Sequence, residues 1–156
     1  MKKKAPNTKE PELKVISIAS IDDLDKMLRE PIHVKFPLGG GLVDIECFRL
    51  RPVEAQQIER ILNGALPPLV DDGDGKSHYD ITDPEYLDRK AKAQNEARAL
   101  TVYLACPLYQ AKFPGLKSPQ EIAEKVNSLL TEEVLRLIAN TVSSENGLVP
   151  RMANFF

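Results

Sequence analysis

The sequence predicts an α+β fold: one mainly α-helical domain carrying one β-hairpin. Three observations lead there. Several segments place apolar residues three and four apart, the spacing of a helix face. One segment alternates apolar and polar residues on either side of a glycine run, the pattern of a hairpin. The chain has 156 residues, 42% of them hydrophobic, which suits one domain with its own core.

The elements follow in order. Residues 1–13 read as a disordered polar tail, with Pro6 and Pro11 among charges. Lys2, Lys3 and Lys4 form a short basic run without aromatic neighbours, so a solvated tail is the preferred reading over a nucleic-acid arm. The domain is expected over residues 14–150, with 151–156 as a second tail. "SIDDLDKMLREP" predicts a short helix. Ser20 caps it, Asp23 completes a short capping box, Ile21, Leu24 and Leu28 share a face, and Pro31 marks its end. Over about 32–50, Ile32, Val34 and Phe36 alternate with His33 and Lys35, and Val43, Ile45 and Cys47 with Asp44 and Glu46. Gly39-Gly40-Gly41 between them is a turn; a phosphate cradle needs a helix immediately after its glycines, and a strand follows here.

"RPVEAQQIERILNG" returns to helical spacing, with Pro52 in the first turn, an apolar set of Val53, Ile58, Ile61 and Leu62, and Gly64 as the stop. The longest helical pattern begins at Thr82 or Asp83 as cap, with Pro84 in the first turn. Tyr86, Ala93, Ala97, Leu100 and Leu104 recur at spacings of 7, 4, 3 and 4. Glu85–Arg89 and Asp88–Lys92 are i,i+4 ion pairs on its outer face. The first half reads as solvated and the second as buried. Pro107, Pro114 and Gly115 predict a loop. Ser118, Pro119 and Glu121 open a further helix with Ile122, Val126 and Leu129 inward. Thr131 caps the last one, whose stripe is Val134, Leu135, Ile138 and Val142. The short turn between these two predicts an antiparallel helical hairpin.

"VDDGDGKSHYDITDPEY", residues 70–86, invites chemical readings. A calcium loop begun at Asp72 has Asp74 at its third position, but Lys76 at the fifth, Ser77 at the sixth and Asp83 at the twelfth. A cation replaces a ligand, the glycine is missing, and the last acid is too short. A phosphate loop ending in Gly75-Lys76-Ser77 requires glycine at position 70, where Val70 stands. The stretch is read as an acidic linker that delivers the chain to a helix cap. His78 lies beside Tyr79 and Asp80 without a nucleophile motif. Two cysteines, Cys47 and Cys106, and two histidines, His33 and His78, do not form a zinc set. The cysteines read as reduced, buried, small apolar residues. No catalytic, cofactor-binding or metal-binding residue is assigned.

The net charge of −2 provides no general attraction for nucleic acid or an acidic membrane. No apolar run approaches the ~20 residues needed to span a bilayer, and no signal-type segment follows the basic start. The expectation is a cytoplasmic protein with neither nucleic-acid nor membrane partners.

Four pieces in order resemble the tail assembly chaperones of long-tailed bacteriophages. They are the opening helix "SIDDLDKML", the hairpin and following helix start "VKFPLGGGLVDIECFRLRPVEA", the connector "ALPPLVDDGDG" and the charged helix "DPEYLDRKAKAQNEARAL". The resemblance covers about Ile18 to Leu104. It implies a non-enzymatic protein without cofactor that works in the host bacterial cytoplasm. Such chaperones bind the tape-measure protein, keep it soluble while tail-tube subunits assemble around it, and leave before the virion is finished. A long helix with apolar stripes aggregates unless a partner covers them, and an amphipathic helix face provides such cover. The candidate partner-binding residues are Leu129, Leu130, Val134, Leu137 and Ile138, with Phe155 and Phe156 as end anchors. For the five on or beside the last helix, a core role is the competing and preferred reading. The resemblance also implies a longer frameshifted form in many members; the codons of Phe155-Phe156 would supply a slippery run of T, which the gene's nucleotides decide. The rivals are a structural tail or head–tail connector protein that stays in the particle, and a small adaptor unrelated to phage.

Overall fold

A 22-residue helix organises the molecule, and four of the other helices pack against it. The structure is a computed structural model and describes residues 15–28 and 30–145. The tails expected at 1–13 and 151–156, with Phe155 and Phe156, lie outside the described residues.

In chain order the elements are α1 (Ile21–Leu28), β1 (Ile32–Leu38), β2 (Gly41–Cys47), α2 (Pro52–Asn63), β3 (Leu69–Asp71), β4 (Ser77–Tyr79), α3 (Pro84–Ala105), α4 (Pro107–Lys112), α5 (Pro119–Asn127) and α6 (Glu132–Glu145). This is the α+β domain the sequence predicts, mostly helical, but with two small antiparallel hairpins rather than one.

α1 begins where expected, with Ser20 Oγ accepting from the Asp23 backbone N–H at 3.2 Å. Arg49 Nη1 donates to the carbonyls of Met27 and Glu30 at 3.1 and 3.4 Å, which secures the helix end. Its apolar positions Ile21, Leu24 and Leu28 are all exposed. The periodicity located the helix but not what its apolar face meets.

β1 and β2 pair from Ile32 opposite Cys47 to Leu38 opposite Gly41. The two residues between them, Gly39 and Gly40, take φ of +62° and +79°. A two-residue loop with both residues left-handed matches the twist of the strands, and only glycine adopts it without strain. Ile32, Val34, Phe36, Ile45 and Cys47 face the core, where α6 packs across β1.

Glu54 fixes the start of α2 by accepting from the Arg51 backbone N–H at 2.9 Å and from its guanidinium at 2.7 and 2.9 Å. Ile58 and Leu62 are buried, but Val53 is exposed. Val53 stands five residues before Ile58, about 140° round the helix at 100° per residue, and so falls off the stripe.

The stretch read as a linker is a second hairpin, β3–β4, running from Leu69 opposite Tyr79 to Asp71 opposite Ser77. Asp71 Oδ1 accepts from the Gly73 N–H at 3.0 Å, the Asp72 N–H donates to the Lys76 carbonyl at 2.9 Å, and Gly73 and Gly75 take positive φ. An aspartate bonding two residues on, followed by a left-handed glycine, makes a turn without any apolar pattern. Asp83 then caps α3, accepting from the Tyr86 N–H at 2.8 Å.

Along α3 the solvated and buried halves divide as the sequence predicts. From Ala97 to Ala105 only Leu104 is not buried. Ala97, Ala99 and Ala105 are small enough for neighbouring helices to approach closely. Pro107 starts α4 where a loop was expected, because proline fits a first helical turn as well as a loop. Tyr103 donates its hydroxyl to the Phe113 carbonyl at 2.6 Å and ties the segment after α4 back onto α3. α5 and α6 each pack on α3 more than on one another. The antiparallel hairpin expected from their short connection is thus two helices sharing a third as their floor. Ser118 stands at the N-cap of α5, but its side chain makes no capping bond.

Cys47 ends β2 and Cys106 ends α3. Both are free and fully buried, with their sulfurs 2.9 Å apart. Beside them the Phe48 N–H donates to the Ala105 carbonyl at 2.8 Å, so this contact joins the first hairpin to the central helix. Hydrogen bonding to Cys47, and then burial, push the Cys106 thiol up, which keeps it a packing group.

Candidate functional site

Over α3, between the end of α5 and the start of α6, lies a cleft. Its volume is about 470 Å³, and it is lined by Ala91, Gln94, Asn95 and Arg98 of α3, Asn127 of α5, Leu130 of the connection, and Glu132, Leu135 and Arg136 of α6.

Each wall follows from local sequence. α5 turns Ile122, Ala123 and Val126 inward, and α6 turns Leu135, Ile138, Ala139 and Val142 inward. That leaves Asn127 at the end of α5 and the first turn of α6 at the rim. Asn127 Nδ2 donates to Asn95 Oδ1 across the cleft floor at 3.2 Å. Glu132 sits in the first turn of α6, where a negative charge meets the positive end of the helix dipole.

The floor carries a buried cation. Arg98 is 7% exposed, and its Nη1 donates to Glu132 Oε1 at 3.3 Å. The same oxygen accepts from Arg136 Nη2 at 2.6 Å. Arg98 Nε is buried without a partner among the described residues. Burial first, and then the Arg136 charge, push the Arg98 guanidinium below its ordinary value, while Glu132 acts in the opposite direction. Arginine nonetheless stays charged in a protein. Spacing reasoning missed this group. The signal was there: Arg98 is the one charged residue in the run "ARALTVYLAC", and a charge inside a buried helix segment has to meet a partner.

The residues singled out for partner binding divide. Leu137 is 40% exposed, and Leu129 is 49% exposed, which corrects the inward position expected of it: α5 ends at Asn127, so Leu129 falls outside the helix whose face it was to share. Leu130 and Val134 are half-buried against the core. Ile138 is 0% exposed, which corrects its place in the set: it is core, because it lies three residues from Leu135 and four from Val142 on the inward face of α6. Phe155 and Phe156 lie outside the described residues.

Elsewhere, His78 Nδ1 is 2.7 Å from Asp72 Oδ1 and His33 Nδ1 is 3.0 Å from Asp44 Oδ1, all on exposed side chains. His78 therefore pairs across the second hairpin and not with its sequence neighbour Asp80. Asp80 accepts from the Thr82 hydroxyl and backbone N–H at 2.7 and 2.9 Å, and these bonds hold its carboxyl below the usual carboxylate value. No group of three or more His, Cys, Asp or Glu among the described residues is placed to hold a metal ion. No helix among them is long and apolar enough to cross a membrane.

No family model, curated protein or solved structure matches this chain.

Proposed function

We propose that this protein is a non-enzymatic tail assembly chaperone of a long-tailed bacteriophage, acting in the host bacterial cytoplasm. It binds the tape-measure protein through the edge formed by the α5–α6 connection and α6, and keeps it soluble until tail-tube subunits surround it. The observation that carries this reading is the exposure of Leu129 and Leu137 on either side in sequence of the cleft residues Leu130, Glu132 and Arg136. Leu129, next in sequence to the cleft residue Leu130, offers apolar cover to an amphipathic helix whose polar face meets the cleft, and Leu137, about 100° round α6 from Arg136, extends the exposed apolar surface of that helix. The order of the four sequence pieces from Ile18 to Leu104 supports the same assignment. The exposed face of α1, with Ile21, Leu24 and Leu28, adds a second apolar stripe of helical spacing.

The rival with most in common is a structural tail or connector protein, and particle composition separates the two. Mass spectrometry is expected to find this chain in lysates of cells assembling the particles and to lose it on purification of mature virions. A constant copy number per finished particle would replace the chaperone reading with the structural one.

A further inference from the structure

We propose that the Arg98 cleft is a carboxylate-binding site, filled by an Asp or Glu side chain of the helical partner. The source of the carboxylate rests on the docking reading above; the site itself rests on Arg98.

A guanidinium presents five N–H donors. Arg98 is 7% exposed and makes one hydrogen bond among the described residues, the 3.3 Å contact of Nη1 with Glu132, while its buried Nε has no partner among them. A buried charge bonded this thinly is costly, and a second acceptor relieves the cost. Glu132 does not supply enough. Its side chain is 67% exposed, and the one oxygen that meets Arg98 lies closer to Arg136. Two guanidinium charges against one carboxylate leave the cluster at a net +1.

The cleft beside this cluster has about 470 Å³ of open space, and its remaining polar walls are the amides of Gln94, Asn95 and Asn127. A carboxylate entering there accepts charge-assisted hydrogen bonds from Arg98 and Arg136, one guanidinium to each oxygen. Glu132 is the group in its way. Lying exposed on the first turn of α6, it is free to swing outward and surrender Oε1's place, so it acts as an internal stand-in for the ligand. Leu130 in the wall, with Leu129 and Leu137 exposed nearby in sequence, asks for apolar groups next to the acid, as on an amphipathic helix.

The test uses the full chain and four probes: sodium acetate, sodium sulfate, a synthetic amphipathic helical peptide of Leu, Ala and Glu, and the same peptide with every Glu replaced by Gln. Affinity is read by fluorescence anisotropy, and the site by the NMR signal of the Arg98 Nε–H. The Glu peptide is expected to bind ~10-fold more tightly than the Gln peptide, the value of a charge-assisted hydrogen bond, and to shift the Arg98 signal. Arg136→Gln is expected to erase most of that ratio, and Glu132→Gln to tighten the Glu peptide several-fold. Arg136→Gln changes a half-exposed side chain, so its thermal melt should match the parent. Glu132→Gln takes the one described partner from Arg98 and should lower the melting point, which bound Glu peptide restores and Gln peptide does not. Equal affinity for the two peptides overturns the carboxylate site while leaving a helix-docking surface intact. An Arg98 shift with acetate but no binding of either peptide keeps the site and overturns its assignment to a helical partner. Sodium sulfate shifting Arg98 as acetate does would overturn the carboxylate preference and leave an adventitious ion only.

Discussion

Replacing Ile138 by alanine is expected to destabilise the protein by about 2–5 kcal/mol, the cost of emptying a fully buried aliphatic site. Ile138 is 0% exposed and lies where α6 meets the core formed by α3 and the first hairpin. The surroundings relax only partly around the lost atoms, so the cavity adds to the lost burial. Against a total of about 5–15 kcal/mol for an ordinary domain, this is a large share. Thermal unfolding should show a fall of ~5–20 °C, taking about 2–4 °C per kcal/mol for a chain of this size. The substitution also decides between two roles for one residue. A partner contact would leave the melting point near the parent and weaken binding; a core residue lowers the melting point first.

Changing Leu129 and Leu137 to serine together is expected to do the reverse. Both side chains are about half exposed, so the fold gains little from them and the melting point should stay close to the parent. A docked helix covers what remains open, worth about 1 kcal/mol for each leucine. Losing both should weaken tape-measure binding by ~30-fold, measured by titrating a labelled tape-measure segment. A loss of binding matched by an equal loss of stability would show that the leucines hold α5 and α6 in place and do not meet a partner.

Much of the fold was legible because it depends on short-range pattern. The alternation on either side of the glycine run announced the first hairpin, although only Gly39 and Gly40 form the turn and Gly41 opens β2. Pro84 placed the start of α3, and of the two candidate caps the structure uses Asp83 and not Thr82. What escaped depends on groups distant in sequence or on turn chemistry. β3 and β4 are three residues each with every side chain exposed, so no apolar alternation announces them; Asp71 bonding to Gly73 makes that turn. α5 and α6 pack on α3, whose buried half lies some 20 to 40 residues earlier in the chain. For the same reason the cleft was invisible. Glu132 and Arg136 are neighbours on one helix turn, but Arg98 reaches them across 34 residues of chain. The exposed leucines were legible as apolar positions, yet periodicity could not separate Leu137, which is 40% exposed, from Ile138 beside it, which is buried.

The central claim is that this protein works by covering apolar helical surface on another protein. Co-expression in bacteria tests it most directly, by following the soluble fraction of tape-measure segments produced with and without this chain. The account predicts that at least one segment, insoluble alone, becomes soluble and co-purifies with the parent chain, and that the Leu129→Ser, Leu137→Ser variant fails to rescue it although equally well folded. If every segment remains insoluble beside abundant folded parent protein, or if the double variant rescues as well as the parent, the account is contradicted.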